Sequence, residues 1–201
     1  MIGVIDSKIC NIFSLTNMLK KLGASYMVID ENFKENFNNF DRLILPGVGA
    51  FNTGMENLKK YNFLDKIVSF ANSGRYILGI CLGMQLLFEE SEEFGIYKGI
   101  GLISGRVVRI KTDMVLPHMG WNDVKILKDS PLVKGVRDQA DFYFVHSYRV
   151  DTEERYIVAI TEYGEKIPAI VNKDNVFGTQ FHPEKSKKWG EIVLKNFIDL
   201  K

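Results

Sequence analysis

Residues 76–87, Tyr-Ile-Leu-Gly-Ile-Cys-Leu-Gly-Met-Gln-Leu-Leu, decide the fold. The run from Tyr76 to Ile80 shows no polar alternation, which suits a strand covered on both faces and hence a central position in a parallel sheet. It stops at Gly79-Ile80-Cys81-Leu82-Gly83 and continues as MQLLFEES (84–91), which reads as the start of a helix. A strand that turns sharply into a helix, with a reactive side chain at the turn, is a nucleophile elbow, here with cysteine in place of serine. Glycines on either side let crowded backbone segments approach closely. At that turn Cys81 lies at a helix N-terminus, where the dipole favours a thiolate. A buried structural cysteine is the competing reading of the pentapeptide alone.

Toward the N-terminus the same α/β rhythm continues. Short apolar runs at 2–6, 25–30 and 42–47 alternate with amphipathic stretches. Ile12, Leu15, Met18, Leu19 and Leu22 repeat at helical spacing, with Gly23 as the stop. A second helix is expected over about 62–72. From about Gly105 the chain becomes a series of short strands, at 106–110, 123–127, 141–148, 156–163, 168–173 and 176–181. Helix returns only over 187–200. With 201 residues, 46% of them hydrophobic, a sizeable core is possible without metal or disulfide staples, and no linker or repeat divides the chain. A single domain, 1–201, is expected. The 26 basic and 25 acidic residues nearly cancel, which disfavours a nucleic-acid partner. No stretch approaches a membrane span or a secretion signal, so a cytoplasmic protein is expected. The two cysteines, Cys10 and Cys81, form no disulfide framework and no zinc-binding spacing. A free thiol is allowed, and no metal or cofactor is expected.

About a hundred residues after the elbow, another strand-like run ends in Gly178-Thr179-Gln180-Phe181-His182-Pro183-Glu184. A thiolate nucleophile needs a proton carrier and a group that orients it. His182 can serve as general base and then general acid. If the segment is extended, Glu184 projects to the same side and can hold one ring nitrogen. An isolated histidine is more often a satisfied core residue, but His-Pro-Glu partnered with Gly-x-Cys-x-Gly is not an isolated histidine.

Together PGVGAF (46–51), GICLGMQLLFEES (79–91), PHMGWN (117–122), YFVHSY (143–148) and TQFHPEKS (179–186) resemble the class I, triad-type glutamine amidotransferases. Within that family the match is to the glutaminase subunits of imidazole glycerol phosphate synthases, over nearly the whole chain. The resemblance implies a mixed, largely parallel central sheet with helices on both faces and a smaller antiparallel portion. It implies that Cys81 is the nucleophile, His182 the general base and acid, and Glu184 its orienter. The oxyanion hole would be the N–H of Leu82 and the loop containing Gly47, Val48 and Gly49. Gln85, Ser147 and Tyr148 would bind glutamine, with Glu93 at its ammonium group. A solvated acidic helix face is the plainer reading of Glu89 to Glu93. PHMGWN reads as a loop-like apolar patch, and by resemblance Met119 and Trp121 would lie against a partner. Lys185 and Asn11 would join that interface. His118 matches no catalytic position and is read as structural.

The expected function is hydrolysis of glutamine, with the ammonia channelled to a (β/α)₈-barrel cyclase that makes imidazole glycerol phosphate and an aminoimidazole carboxamide ribotide in histidine biosynthesis. One stretch departs from the family. Its members open with a motif of the form DYGxGN, whereas this chain has Asp6-Ser7-Lys8-Ile9-Cys10-Asn11. The alternative that departure leaves open is a paralogous glutaminase subunit supplying ammonia to a surface-sugar amidotransferase.

Overall fold

The computed structural model describes residues 1–9 and 12–201. Its strands and helices alternate at first: β1 (Ile2–Ile5), α1 (Ile12–Lys21), β2 (Tyr26–Ile29), β3 (Arg42–Gly47), α2 (Phe51–Lys60), α3 (Leu64–Asn72), β4 (Tyr76–Cys81) and α4 (Leu82–Leu86). Then come β5 (Glu90–Ser91), β6 (Tyr97–Lys98), β7 (Arg106–Arg109), β8 (His118–Ile126), β9 (Ala140–His146), β10 (Tyr148–Asp151), β11 (Ile157–Glu162), β12 (Lys166–Lys173) and β13 (Val176–Thr179). A 3₁₀ turn at Pro183–Lys185 and α5 (Lys187–Ile198) complete the order.

Nine strands form one sheet in the order β2-β1-β3-β4-β13-β12-β11-β8-β9. The strands from β2 to β13 are parallel, and β12, β11, β8 and β9 extend the sheet antiparallel. A second sheet, β10-β7-β5-β6, has four strands. The antiparallel part is therefore divided: its longer strands belong to the main sheet. Strand β4 lies between the parallel neighbours β3 and β13, as its unbroken apolar run requires.

Alternation along the strands splits the core into two layers. Ile5, Leu43, Leu45 and Ile77 face α2 and α3, where they meet Phe51, Leu58, Ile67 and Phe70. Val4, Ile44, Leu78 and Ile80 face Leu15 and Leu19 of α1 and Val193, Leu194 and Phe197 of α5. Each such side chain contributes roughly 1.5–3 kcal/mol by leaving water. No helix among the described residues is long and apolar enough to cross a membrane.

Three local expectations are corrected. The helix after the elbow ends at Leu86, and Glu90–Ser91 is strand, so Glu89 to Glu93 form no helix face. The carbonyls of Leu86, Leu87, Phe88 and Glu89 accept hydrogen bonds from the N–H groups of residues 99–103, a tertiary pairing that replaces further helix. PHMGWN is not a loop, because His118 to Asn122 open the nine-residue strand β8. In place of an irregular patch it alternates, with His118 buried while Met119 and Trp121 are exposed. The third helix begins at Leu64 rather than near residue 62.

Candidate active site

Cys81 closes β4 and stands immediately before α4, with φ 54° and ψ −112°. A side chain in this positive-φ region is strained by roughly 1–3 kcal/mol. The flanking glycines explain how the surroundings hold it. A Cβ on Gly83 would lie 1.7 Å from the Leu45 carbonyl oxygen, and one on Gly79 would lie 2.6 Å from the Gly83 oxygen. The backbones of β3, β4 and α4 are thus in a contact that only hydrogen at Cα permits. With only five residues, α4 offers less dipole to the sulfur than a longer helix would.

Strand β13 runs parallel beside β4, pairing Gly178 with Gly79 and Thr179 with Ile80. This register delivers His182 to the same end of the sheet as Cys81. The His182 N–H donates to the Tyr143 carbonyl of β9 at 2.9 Å. Glu184 lies in the 3₁₀ turn rather than in extended backbone, a correction to the expected geometry. Pro183 opens that turn, where its missing N–H costs nothing. The turn still brings Glu184 Oε1 to 2.8 Å from His182 Nδ1, with His182 buried and Glu184 partly so. Because Nδ1 faces a carboxylate it carries the proton, which leaves Nε2 to exchange one. Nε2 is buried and has no hydrogen-bond partner among the described residues. Burial alone lowers the pKa of His182, but the charge of Cys81, followed by the hydrogen bond and charge of Glu184, raises it to about 10. These contacts favour the imidazolium form of His182.

Gly47 is opposite Cys81 in the β3–β4 register, so the 47–49 loop starts beside the sulfur. The Val48 N–H does not point there; it donates to the Ile9 carbonyl at 2.9 Å. Gly49 has φ +99°, and a Cβ at that position would meet open space. Leu82 is the first residue of α4, and a helix leaves its first N–H groups without internal partners.

Gln85 is buried on α4 and donates from Nε2 to the Tyr148 carbonyl at 2.9 Å and to Gln180 Oε1 at 3.1 Å. Tyr148 thus contributes its backbone here, and the Ser147 carbonyl accepts from Ile110. Glu93 Oε2 accepts from the Phe51 N–H at 2.8 Å, at the start of α2. Desolvation raises the Glu93 pKa, opposed by that hydrogen bond. Lys185 is exposed next to Glu184 with its ammonium 5.7 Å from the Tyr143 ring, and Lys187 lies 5.2 Å from the Trp121 ring. Met119, Trp121, Tyr143 and the two lysines therefore share one surface. Asn11 and Cys10 fall outside the described residues. In the departing stretch, Lys8 adopts φ 61°, a conformation suited to glycine, and pairs with Glu31 at 2.6 Å and Asp6 at 3.2 Å.

Gln180 was not singled out by the sequence reading. It is fully buried, and its Nε2 donates to Cys81 Sγ at 3.8 Å. On another side the sulfur meets the Val145 carbonyl, also at 3.8 Å. The available signal was a glutamine inside the apolar run VFGTQF, where a polar side chain must find partners.

The family model for glutamine amidotransferase class-I matches residues 3–200. The imidazole glycerol phosphate synthase subunit HisH of Methanocaldococcus jannaschii is 49% identical over 205 residues, covering 100% of both chains. The Bacillus subtilis protein of that name is 45% identical over 208 residues, covering 100% of this chain and 96% of its own. Among solved structures, PurLQS from Thermotoga maritima superposes with a TM-score of 0.78 at 18% identity, covering 98% of this chain and 97% of its own, a likeness of fold.

Proposed function

We propose that this chain, which belongs to the class-I glutamine amidotransferase family, hydrolyses glutamine and passes the ammonia to a (β/α)₈-barrel cyclase making imidazole glycerol phosphate and aminoimidazole carboxamide ribotide. The observation that carries the chemistry is the buried His182, held at Nδ1 by Glu184 and leaving Nε2 for Cys81. The pathway and the partner rest on relatives named as synthase subunits that match this chain from end to end.

In this reading the Cys81 thiolate attacks the side-chain carbonyl carbon of glutamine, and its oxygen becomes an oxyanion at the Leu82 N–H. His182 gives its Nε2 proton to the departing nitrogen, the C–N bond breaks and ammonia leaves. Water then adds to the thioester carbonyl as His182 takes its proton. The C–S bond breaks, and glutamate and the thiolate are restored. Gln85, Tyr148 and Ser147 line the glutamine site, with Glu93 at its far end. A nucleophile that must stay a thiol suits a cytoplasmic complex.

The Val48 N–H is bonded to Ile9, so the second oxyanion donor is turned away. The surface of Met119, Trp121, Lys185 and Lys187 suits a partner face that is apolar with acidic groups. Docking there turns the Val48 peptide toward the substrate. Losing one oxyanion donor costs on the order of a hundredfold to a thousandfold in rate, so the isolated chain is expected to be slow and the complex fast by that factor.

The test has two parts. A diazoketone analogue of glutamine should modify Cys81 and spare Cys10 on peptide mapping, and Cys81→Ala should lose glutamine hydrolysis. A label on Cys10, or a pure variant that still turns over glutamine, ends the nucleophile assignment. Glutamine turnover is then measured for the chain alone, with the cyclase, and with the cyclase plus its nucleotide substrate. Full activity in the isolated chain removes the gating and leaves the chemistry standing.

A further inference from the structure

A polar chain runs from the half-buried Asn122 of β8 to the Cys81 sulfur, and the roles of its members follow from hydrogen-bond chemistry. At one end, Asn122 Nδ2 lies 2.9 Å from the Glu162 carbonyl and its Oδ1 accepts from the Asp123 N–H at 3.0 Å. A carbonyl only accepts, so the amide orientation is fixed and Nδ2 is also a donor toward His118 Nε2 at 3.2 Å. His118 Nε2 is then an acceptor, and in a neutral ring its proton is on Nδ1. That nitrogen lies 3.1 Å from His146 Nε2, which must accept.

Starting from the other end gives the same assignment. His146 Nδ1 is 2.8 Å from the Tyr148 carbonyl, so Nδ1 carries hydrogen and Nε2 carries a lone pair. Burial supports neutral rings, lowering the pKa of His118 to about 4 and that of His146 to about 3. The Tyr148 carbonyl accepts a second bond, from Gln85 Nε2. The remaining Gln85 hydrogen goes to Gln180 Oε1, so Gln180 must present its NH₂ to Cys81 Sγ.

We propose that Gln180 is a positioning residue that aims an N–H donor at the Cys81 sulfur. Its orientation is set through Gln85 and the Tyr148 carbonyl by the Asn122–His118–His146 relay, which begins on the partner-facing strand. This rests on Cys81 being the nucleophile. The sulfur's two contacts favour opposite states: the Val145 carbonyl accepts only from the thiol, whereas Gln180 donates best to the thiolate. The relay bears on the second contact. Reversing the tautomers would turn a lone pair of His146 Nδ1 toward the Tyr148 carbonyl, disturbing the atom that holds Gln85.

The chain has three histidines, so a histidine-selective ¹⁵N spectrum at neutral pH can be assigned with single variants. His118 and His146 should both show protonated Nδ1 and bare Nε2, the less common tautomer of a histidine side chain in water. An Nε2-protonated or cationic ring at either position overturns the relay. Asn122→Asp replaces the donor with an acceptor and should move the His118 proton to Nε2. The rate at which a diazoketone glutamine analogue labels Cys81 in the isolated full chain should then fall about tenfold, the scale of one lost hydrogen bond. Asn122→Leu removes the donor without supplying an acceptor and should cost less than Asn122→Asp. If Leu costs as much as Asp, residue 122 acts through packing and the relay fails. A wild-type chain whose Cys81 takes no label would instead overturn the nucleophile assignment, so the two failures are distinct.

Discussion

At Glu184 and His182 the two halves of the proposed proton carrier are separable. Glu184 holds the ring through one contact of 2.8 Å, whereas in the proposed mechanism His182 moves the proton. Glu184→Gln keeps a group that can accept from Nδ1, so glutamine turnover in the complex is expected to fall by roughly ten- to a hundredfold. His182→Ala should cost roughly a thousandfold or more. Equal losses, measured as kcat with the partner saturating, would mean that Glu184 does more than orient. Both residues were legible in the sequence because the His-Pro-Glu triplet carries its own spacing. Gln180, two positions earlier, was not. Its partners Gln85 and Cys81 lie 95 and 99 residues away, and only the parallel β4–β13 register brings them together.

The elements on either side of Cys81 are held by contact rather than by turn conformation, and that difference can be measured. Gly83 lies against the Leu45 carbonyl, so Gly83→Ala must push β3 and α4 apart, at an expected cost of at least about 3 kcal/mol. Gly135 has φ +76° with open space where a Cβ would go, so Gly135→Ala should cost only about 1–2 kcal/mol. Urea unfolding of the two variants checks the order, and a milder Gly83→Ala would mean that the backbones can separate at the elbow. Strand β4, helices α1 and α5 and the later strands could be read from periodicity and breakers, because these are local. The early end of α4 could not, since residues 84–91 contain neither glycine nor proline to stop a helix. What stops it is the hydrogen bonding of residues 99–103 to the Leu86–Glu89 carbonyls. The strand character of PHMGWN was hidden for a similar reason. It depends on the pairing of His118 to Val124 with Ala140 to His146, and Gly120 between two large side chains masks the alternation.

Across the molecule the three histidines give stability a pH profile whose direction can be stated. His118 and His146 titrate at about 4 and about 3 when folded, below the ordinary histidine value of 6.5. Between those values the unfolded chain binds more protons, so their contribution is complete above pH 6.5 and is lost as pH falls toward 4 and then 3. His182, raised to about 10, works in the other direction: its contribution is complete below pH 6.5 and is lost as pH rises toward 10. Histidine-dependent stability is therefore expected to peak near pH 6.5. Melting temperatures of the wild type and His146→Gln from pH 4 to 8 should show a gap that narrows below pH 6.5, and a gap independent of pH would contradict buried neutral rings. The alternation along β8 has a consequence on a longer timescale. One face of this strand carries His118 and Asn122 inward, and the other carries Met119 and Trp121 outward. An inserted or deleted residue between them would exchange the two faces at a stroke. Substitutions can therefore change this outward surface one residue at a time, whereas a change in strand length would turn it inward.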